Sequence, residues 1–372
     1  MKTYKFRIYP NEQQSMQMQK IFGCTRFVYN YYLAMRKKVY EESKETFNFY
    51  DCALDMTKLK KDHVWLFDAD SSSLQSSLKN LDGAFNDFFR RVKKGKPPGY
   101  PKFKSKKEWC KSYTSKNSHN NIRMSGNYIR MPKVGLVKCA VSRMVEGRIL
   151  SATVSQNPSG KYFVSVSCTD VDIKPFEKTG AIAGIDLGLK ELAITSDGQH
   201  FQNPKYFVKS QKKLAKLQRE LSRKPKGSAN REKARIKVAR LHEHIANQRL
   251  DSAHKMTTAL VRDYDLIATE TLMSKNMMKN HKLAKAISDV AWSEIIRQLA
   301  YKCEWYGKEF VKIDMFYPSS QTCNSCGFNI NSRKSPCFSY GDIRLQEFLE
   351  GGQPCYSTRH TSLGYTQTKN KR

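Results

Sequence analysis

Hydrophobic residues along the first hundred positions recur at two different periods. Residues 3–9, Thr-Tyr-Lys-Phe-Arg-Ile-Tyr, alternate, which is the period of a strand with one buried face. Pro10 ends it. Asn11 then stands where a helix N-cap belongs, with Gln14 three residues later, the spacing of a capping box. Val28, Tyr32, Met35 and Val39 follow at helical spacing. So do Leu74, Leu78, Leu81, Phe85, Phe88 or Phe89, and Val92, after Asp70 and its serines. Stripes of this kind predict helices packed into a bundle core. From about 127 to 169 the period returns to two. Ile149–Val154 and Tyr162–Cys168 alternate, and Asn157-Pro158-Ser159-Gly160 supplies a turn between them. A small antiparallel sheet or barrel is expected there.

At 181 the pattern changes again. Ala181-Ile182-Ala183-Gly184-Ile185-Asp186-Leu187-Gly188 reads as an apolar strand carrying one carboxylate, and Glu191–Thr195 continues it through a hairpin closed at Ser196-Asp197-Gly198. Two long basic helices, about 207–223 and 229–262, flank Lys224-Pro225-Lys226-Gly227. Leu266–Glu270 is a short apolar strand ending on a second carboxylate. A helix over about 285–306, marked by Ala291, Ile295, Leu299 and Cys303, leads to a strand at Phe310–Asp314. Hairpin, then strand, helix and strand, is the order of an RNase H-like fold. There the first and fourth strands lie side by side, which would bring Asp186 and Glu270 together. Neighbouring carboxylates repel and are stable mainly around divalent cations. Oxygen donors suit Mg²⁺ or Mn²⁺, and two such ions can activate water against a phosphodiester. The plainer alternative, acids that only cap strand ends, stays open on spacing alone.

Charge narrows the class of partner. Among 372 residues, 66 Lys and Arg face 34 Asp and Glu, a formal net charge of +32. Self-repulsion of that size destabilises a compact state unless a polyanion offsets it, and nucleic acid is the natural partner. No run approaches the roughly 18 apolar residues of a membrane helix. The start, MKTYKFRIYP, lacks an apolar signal core. Cys24, Cys52, Cys110, Cys139, Cys168 and Cys303 stand singly, as reduced thiols do. A cytoplasmic, nucleoid-associated protein is expected, with no membrane partner. Between Arg90 and Lys111 the basic side chains crowd against a single acid, Glu108, and prolines break any helix. Arg90, Arg91, Lys93, Lys94, Lys102, Lys104, Lys106 and Lys107 are candidate phosphate contacts, with Phe103 among aromatics able to stack on bases. A merely solvated basic loop is the alternative. His242, His244 and His254 fall on the second basic helix. His242 and His244, two apart, do not share a face, so contact with RNA or solvent is expected of them before metal.

Taken together, MKTYKFRIYPNEQQ, GYPKFKSKK, GIDLGLKELAITSDG, the strand ending in Glu270 and YKCEWYGKEFVKIDMFYPSSQTCNSCG resemble the transposon-encoded TnpB (OrfB) family. These are RNA-guided DNA endonucleases of insertion sequences, related to type V CRISPR nucleases. The resemblance runs from residue 1 to about 328. It implies an α+β, bilobed architecture. Residues 1–10 and 115–177 would form a small wedge-type β-barrel, with 11–114 inserted as a helical recognition lobe. Residues 178–315 would form a RuvC-like, RNase H-like α/β nuclease domain, 316–340 a partial zinc-ribbon, and 341–372 an atypical, disordered tail. It implies a guide RNA and double-stranded target DNA as partners, held in a groove between lobes. It makes Asp186 and Glu270 the first two metal-binding acids for Mg²⁺ or Mn²⁺.

The tail departs from the family. A second CxxC and a final acid-bearing motif are expected after Cys323 and Cys326, and neither stands there. A shifted reading frame or a decayed end would explain this, and the coding DNA would decide it. Cys337 is the next candidate for a Zn²⁺ shell begun by Cys323 and Cys326, with Cys355 or His360 beyond it. Asp342 is the nearest candidate third acid, ahead of Glu347 and Glu350. Two functions therefore stand: a metal-dependent RNA-guided endonuclease, impaired if the third acid is lost, or the same scaffold binding guide and DNA without cutting.

Overall fold

The structure is a computed structural model, and it describes residues 1–106 and 111–313. The chain divides into two compact units. One comprises residues 1–172 with 217–243; the other comprises 173–216 and, among the described residues, 244–313.

The first unit opens with β1 (Lys2–Tyr9), whose Tyr4, Phe6 and Ile8 are buried in strict alternation. Then α1 (Glu12–Ser43) starts at the expected capping box. The Asn11 side chain accepts from the Gln14 amide, and the Gln14 side chain takes the Asn11 amide. Helix α2 (Phe49–Asp62), a short 3₁₀ turn (Val64–Asp68) and α3 (Ser71–Lys93) follow. Strands β2 (Lys111–Lys116), β3 (Arg123–Ser125), β4 (Tyr128–Met131), β5 (Gly135–Cys139), β6 (Arg148–Gln156) and β7 (Tyr162–Thr169) join β1 in one sheet, ordered β2-β6-β7-β1-β5-β4-β3.

All these pairings are antiparallel. The expected closed barrel is not found. Among the described residues pairing stops at β2 on one side and β3 on the other. The three-residue β3 offers too few ladder bonds to close the sheet onto a further strand. Helices and sheet share a single apolar core, in which Tyr4, Phe6 and Ile8 meet Phe22, Tyr32, Leu74, Leu81 and Val164.

The second unit is built on a five-stranded sheet, β10-β9-β8-β11-β12. Its members are β8 (Ile182–Asp186), β9 (Glu191–Thr195), β10 (His200–Gln202), β11 (Leu266–Glu270) and β12 (Glu309–Ile313). The first three pair antiparallel, whereas β8, β11 and β12 run parallel. This is the strand order anticipated from sequence. Helices α4 (Tyr206–Ser222) and α5 (Ala229–Asp263) lie between β10 and β11 in the chain, close to the expected bounds. Their segment 217–243 belongs to the first unit. Met256, Leu260 and Val261 of α5 pack with Ile185, Ile267 and Leu299 in the core of the second unit.

After β11 come α6 (Ser274–Met277), α7 (Ala284–Val290) and α8 (Trp292–Tyr306). The single helix expected over 285–306 is therefore broken. Ala291 adopts φ 55°, ψ 46°, which ends α7 and starts α8 in a new direction. Val290 and Trp292 on either side are both buried.

Candidate functional site

Two carboxylates sit at the carboxyl ends of the neighbouring parallel strands β8 and β11. The register pairs Ile182 with Leu266 and continues to Ile185 with Thr269. The next position on each strand is the last: Asp186 on β8 and Glu270 on β11. Facing positions in parallel strands share a face, so both carboxylates project to the side opposite the Ile185–Ile267 core. Asp186 is exposed and Glu270 is half-buried. Among the described residues neither carboxylate has a hydrogen-bond or salt-bridge partner, so neither merely caps a strand end.

Local sequence fixes this placement. Ile185 and Leu187 on either side of Asp186 are buried, which turns the carboxylate outward. A Cβ added to Gly188 would lie 2.9 Å from the Glu191 carbonyl oxygen, so the tight return into β9 needs glycine. On β11 the hydroxyl of Thr271, just past Glu270, donates to the Ile313 carbonyl at 2.7 Å and ties the strand's end to β12.

The donor set is two hard oxygen ligands on one face, which fits Mg²⁺ or Mn²⁺ and not a soft metal. No cluster of three or more His, Cys, Asp or Glu able to hold a metal occurs among the described residues. Asp342 lies outside the described residues, as do Cys323, Cys326 and Cys337. Cys24, Cys139 and Cys303 are buried, and burial pushes each thiol up to about 11. They are protonated core residues and poor metal ligands.

The basic segment lies in the first unit, running off the end of α3. Lys93, Lys94, Lys102 and Lys106 are exposed, and Arg90 is exposed beside Asp87 at 2.7 Å. Phe103 projects with 60% of its surface exposed. Tyr100 packs edge-on against Phe85 and Phe88. Arg91 lies so near Gly99 that a Cβ there would fall 2.5 Å from its guanidinium. Lys104 behaves differently from its neighbours. Its amide donates to Asn30 Oδ1 at 2.8 Å, and its carbonyl accepts from Asn30 Nδ2 at 3.1 Å. Its ammonium lies 3.9 Å from the centre of the Tyr29 ring, and burial lowers its pKa. Lys104 thus pins the segment to α1. Lys107 lies outside the described residues.

Sequence marked the two basic helices but not the cleft formed where they join. Arg223, Lys224, Lys233 and Lys237 line an open cleft of ≈ 370 Å³ where α4 turns into α5. Arg231 braces the turn by donating to the carbonyls of Leu221 (3.0 Å) and Lys224 (2.7 Å). The signal for it was the spacing Lys233–Lys237, which places both on one helix face.

Three family models match the chain: one described as "Probable transposase" over residues 163–281, one as "Helix-turn-helix domain" over 1–45, and one as "Cas12f1-like, TNB domain" over 292–345. Residues 1–45 fold here as a strand and one continuous helix. A protein of Streptomyces pristinaespiralis that carries the name of an RNA-guided DNA endonuclease is 39% identical over 336 residues, covering 88% of this chain and 80% of that protein. InsQ of Escherichia coli (strain K12), named likewise, is 34% identical over 347 residues, covering 88% and 83%. Among solved structures, the cryo-EM structure of a Cas12f1–sgRNA–target DNA complex aligns with a TM-score of 0.51 at 12% identity, over 92% of this chain and 79% of that one. At that identity the likeness concerns the fold. No described helix is long and apolar enough to cross a membrane.

Proposed function

The chain belongs to the transposon-encoded TnpB (OrfB) family, and from that premise we propose that it is an RNA-guided DNA endonuclease of an insertion sequence. The observation that carries this reading is the β8–β11 register, which ends two adjacent parallel strands on Asp186 and Glu270. In this reading the second unit is the RuvC-like, RNase H-like nuclease domain, and the first unit supplies the wedge and recognition roles.

Asp186 and Glu270 hold divalent cations, Mg²⁺ or Mn²⁺, through their free carboxylate oxygens. When bound, such ions acidify water and neutralise charge on the scissile phosphate. The chain's own part is to fix the two carboxylates on one face and to hold the phosphate backbone through exposed lysines and arginines. A paired guide RNA reads the target sequence, while the protein reads duplex shape and a short flanking motif. Asp342 remains the candidate third acid. Cys323, Cys326 and Cys337 remain the candidate Zn²⁺ ligands.

The test incubates the purified protein with its co-transcribed RNA, matched target DNA and Mg²⁺. Guide-dependent cleavage that is lost in Asp186→Ala and in Glu270→Gln supports the nuclease. Guide-dependent retention of uncut DNA by the unaltered protein replaces it with the binding-only reading. RNA-independent behaviour in both assays rejects both.

A further inference from the structure

Between α2 and α3 the chain displays large apolar side chains outward from a rigid mount. In the 3₁₀ turn Val64–Asp68, only Leu66 points inward, and it is fully buried. Val64, Trp65 and Phe67 are 70%, 45% and 53% exposed. The mount is held from α1. Gln17 Nε2 donates to the Asp68 carbonyl at 2.6 Å, and the Cys24 thiol donates to the Trp65 carbonyl at 3.7 Å. The ring of Phe27 stands edge-on to Trp65 at 4.9 Å and to His63 at 5.2 Å. It holds those two rings within 17° of parallel, their centroids 5.9 Å apart. Trp65 is therefore fixed in orientation with nearly half of its surface open to solvent. A side chain held this way loses little further freedom when a ligand covers it.

Three lysines lie beside the same turn. The Lys60 ammonium lies 5.6 Å from the centre of the Phe67 ring. Lys61 is exposed on the last turn of α2. Lys20, 59% exposed, pairs with Asp68 at 3.2 Å. Lysine is depleted from the cores of protein–protein interfaces, so an exposed aromatic turn with lysines beside it is less suited to an apolar protein partner. It suits a base whose phosphates lie on either side.

We propose that the exposed ring of Trp65 is a stacking platform for an unpaired base of the guide RNA; this rests on the RNA-guided reading above. RNA is chosen over DNA because guide RNAs present splayed single-stranded loops, whereas the target arrives as a duplex.

The test uses the full chain and its co-transcribed RNA carrying 4-thiouridine. Photocrosslinks are mapped by mass spectrometry, and affinity is measured for the unaltered protein, Trp65→Ala and Trp65→Phe. Crosslinks at His63–Phe67 and an affinity loss of about ten-fold for Trp65→Ala, largely restored in Trp65→Phe, are expected. Equal melting temperatures of the variants would show that the loss is not unfolding, and Val64→Ser, which spares the ring, should bind RNA normally. Unchanged RNA affinity in Trp65→Ala, with the unaltered protein binding normally, overturns the platform alone. Crosslinks to single-stranded DNA instead of guide RNA also overturn it, as does a change in oligomeric state at unchanged RNA affinity. If the unaltered protein binds no RNA, the RNA-guided reading falls and the platform with it.

Discussion

Lys308 and Asp265 form a part-buried ion pair at the foot of the strand whose other end carries Glu270. The Lys308 ammonium also donates to the Glu177 carbonyl at 2.7 Å. Asp265 accepts the amides of Thr179 and Gly180, the latter at 2.7 Å. Its own amide donates to the Ala181 carbonyl, and its carbonyl accepts the Glu309 amide, each at 2.8 Å. One residue thus ties the entries of β8, β11 and β12 together. Register set at that end decides which residues stand level at the other, so Asp265 and Lys308 act on the alignment of Asp186 with Glu270.

Lys308→Met should remove this clamp. The lysine side chain is 1% exposed and Asp265 24%. Since Asp265 keeps its amide donors, the loss of stability is expected on the order of 2 kcal/mol, below the range for a carboxylate stranded with no partner. The hydrogen bond from Lys308, followed by the Gly180 and Thr179 amides, holds the Asp265 carboxyl down to about 2 from the ordinary 3.8. Between those values the unfolded chain binds the extra proton. Stability from this group is therefore full above about pH 4 and is lost as pH falls toward 2. Thermal melts of the unaltered protein and Asp265→Asn should differ at pH 5, and the difference should shrink between pH 4 and pH 2.

Lys302 gives a dependence of the same sign in the alkaline range. It is 5% exposed on α8, and its ammonium donates to the His254 carbonyl at 2.9 Å and to the hydroxyls of Thr257 and Thr258, both at 2.7 Å. Burial lowers its pKa from 10.5 to about 8. Between those values the unfolded chain holds the proton and the folded chain does not, so this group's contribution to stability rises with pH from about 8 to 10.5. Lys302→Met should flatten that rise in a melting-temperature series. A larger pH rise in the variant than in the unaltered protein would refute the assignment.

The sequence made the strands and caps legible because their signals are local. Tyr4, Phe6 and Ile8 alternate, and Asn11 with Gln14 forms a capping box from side chains three residues apart. The paired acids were legible too, since each ends a short apolar strand. The break at Ala291 was not. Alanine is the strongest helix former, so nothing local to the sequence marks the left-handed backbone it adopts there. Nor could composition separate Lys104 from Lys102 and Lys106. What distinguishes Lys104 is Asn30, 74 residues away in the chain. Trp65 likewise reads as one more apolar residue until Leu66 is seen to take the inward position.

The lysines of the basic segment should separate by salt dependence. Lys102 and Lys106 are exposed, so replacing either by Ala should weaken nucleic-acid binding similarly for all sequences. Each replacement should reduce the slope of log affinity against log salt by about one. Lys104→Met should lower the melting temperature while leaving that slope nearly unchanged, because its ammonium lies over Tyr29. Binding measured across a salt series checks both. Equal slope changes at Lys102 and Lys104 would contradict the pinning role.

Gly188→Ala addresses the placement of Asp186. The added Cβ would lie 2.9 Å from the backbone oxygen of Glu191, which belongs to a strand and cannot swing aside as a flexible side chain would. The return from β8 into β9 must then shift by some tenths of an ångström. Leu187 anchors this return in the core and Asn203 holds the Leu189 carbonyl at 2.8 Å, so the displacement has little room except toward Asp186. In the proposed nuclease, guide and target binding would not use this carboxylate, whereas cleavage would depend on its alignment with Glu270. The variant should bind guide and target with near-normal affinity and cut up to about 10²-fold more slowly, the scale of loss when a reacting group is misplaced by about an ångström. Parallel binding and single-turnover cleavage assays would read the two effects separately. A variant that loses binding and cutting in equal measure would place the strain in the fold as a whole and not at Asp186.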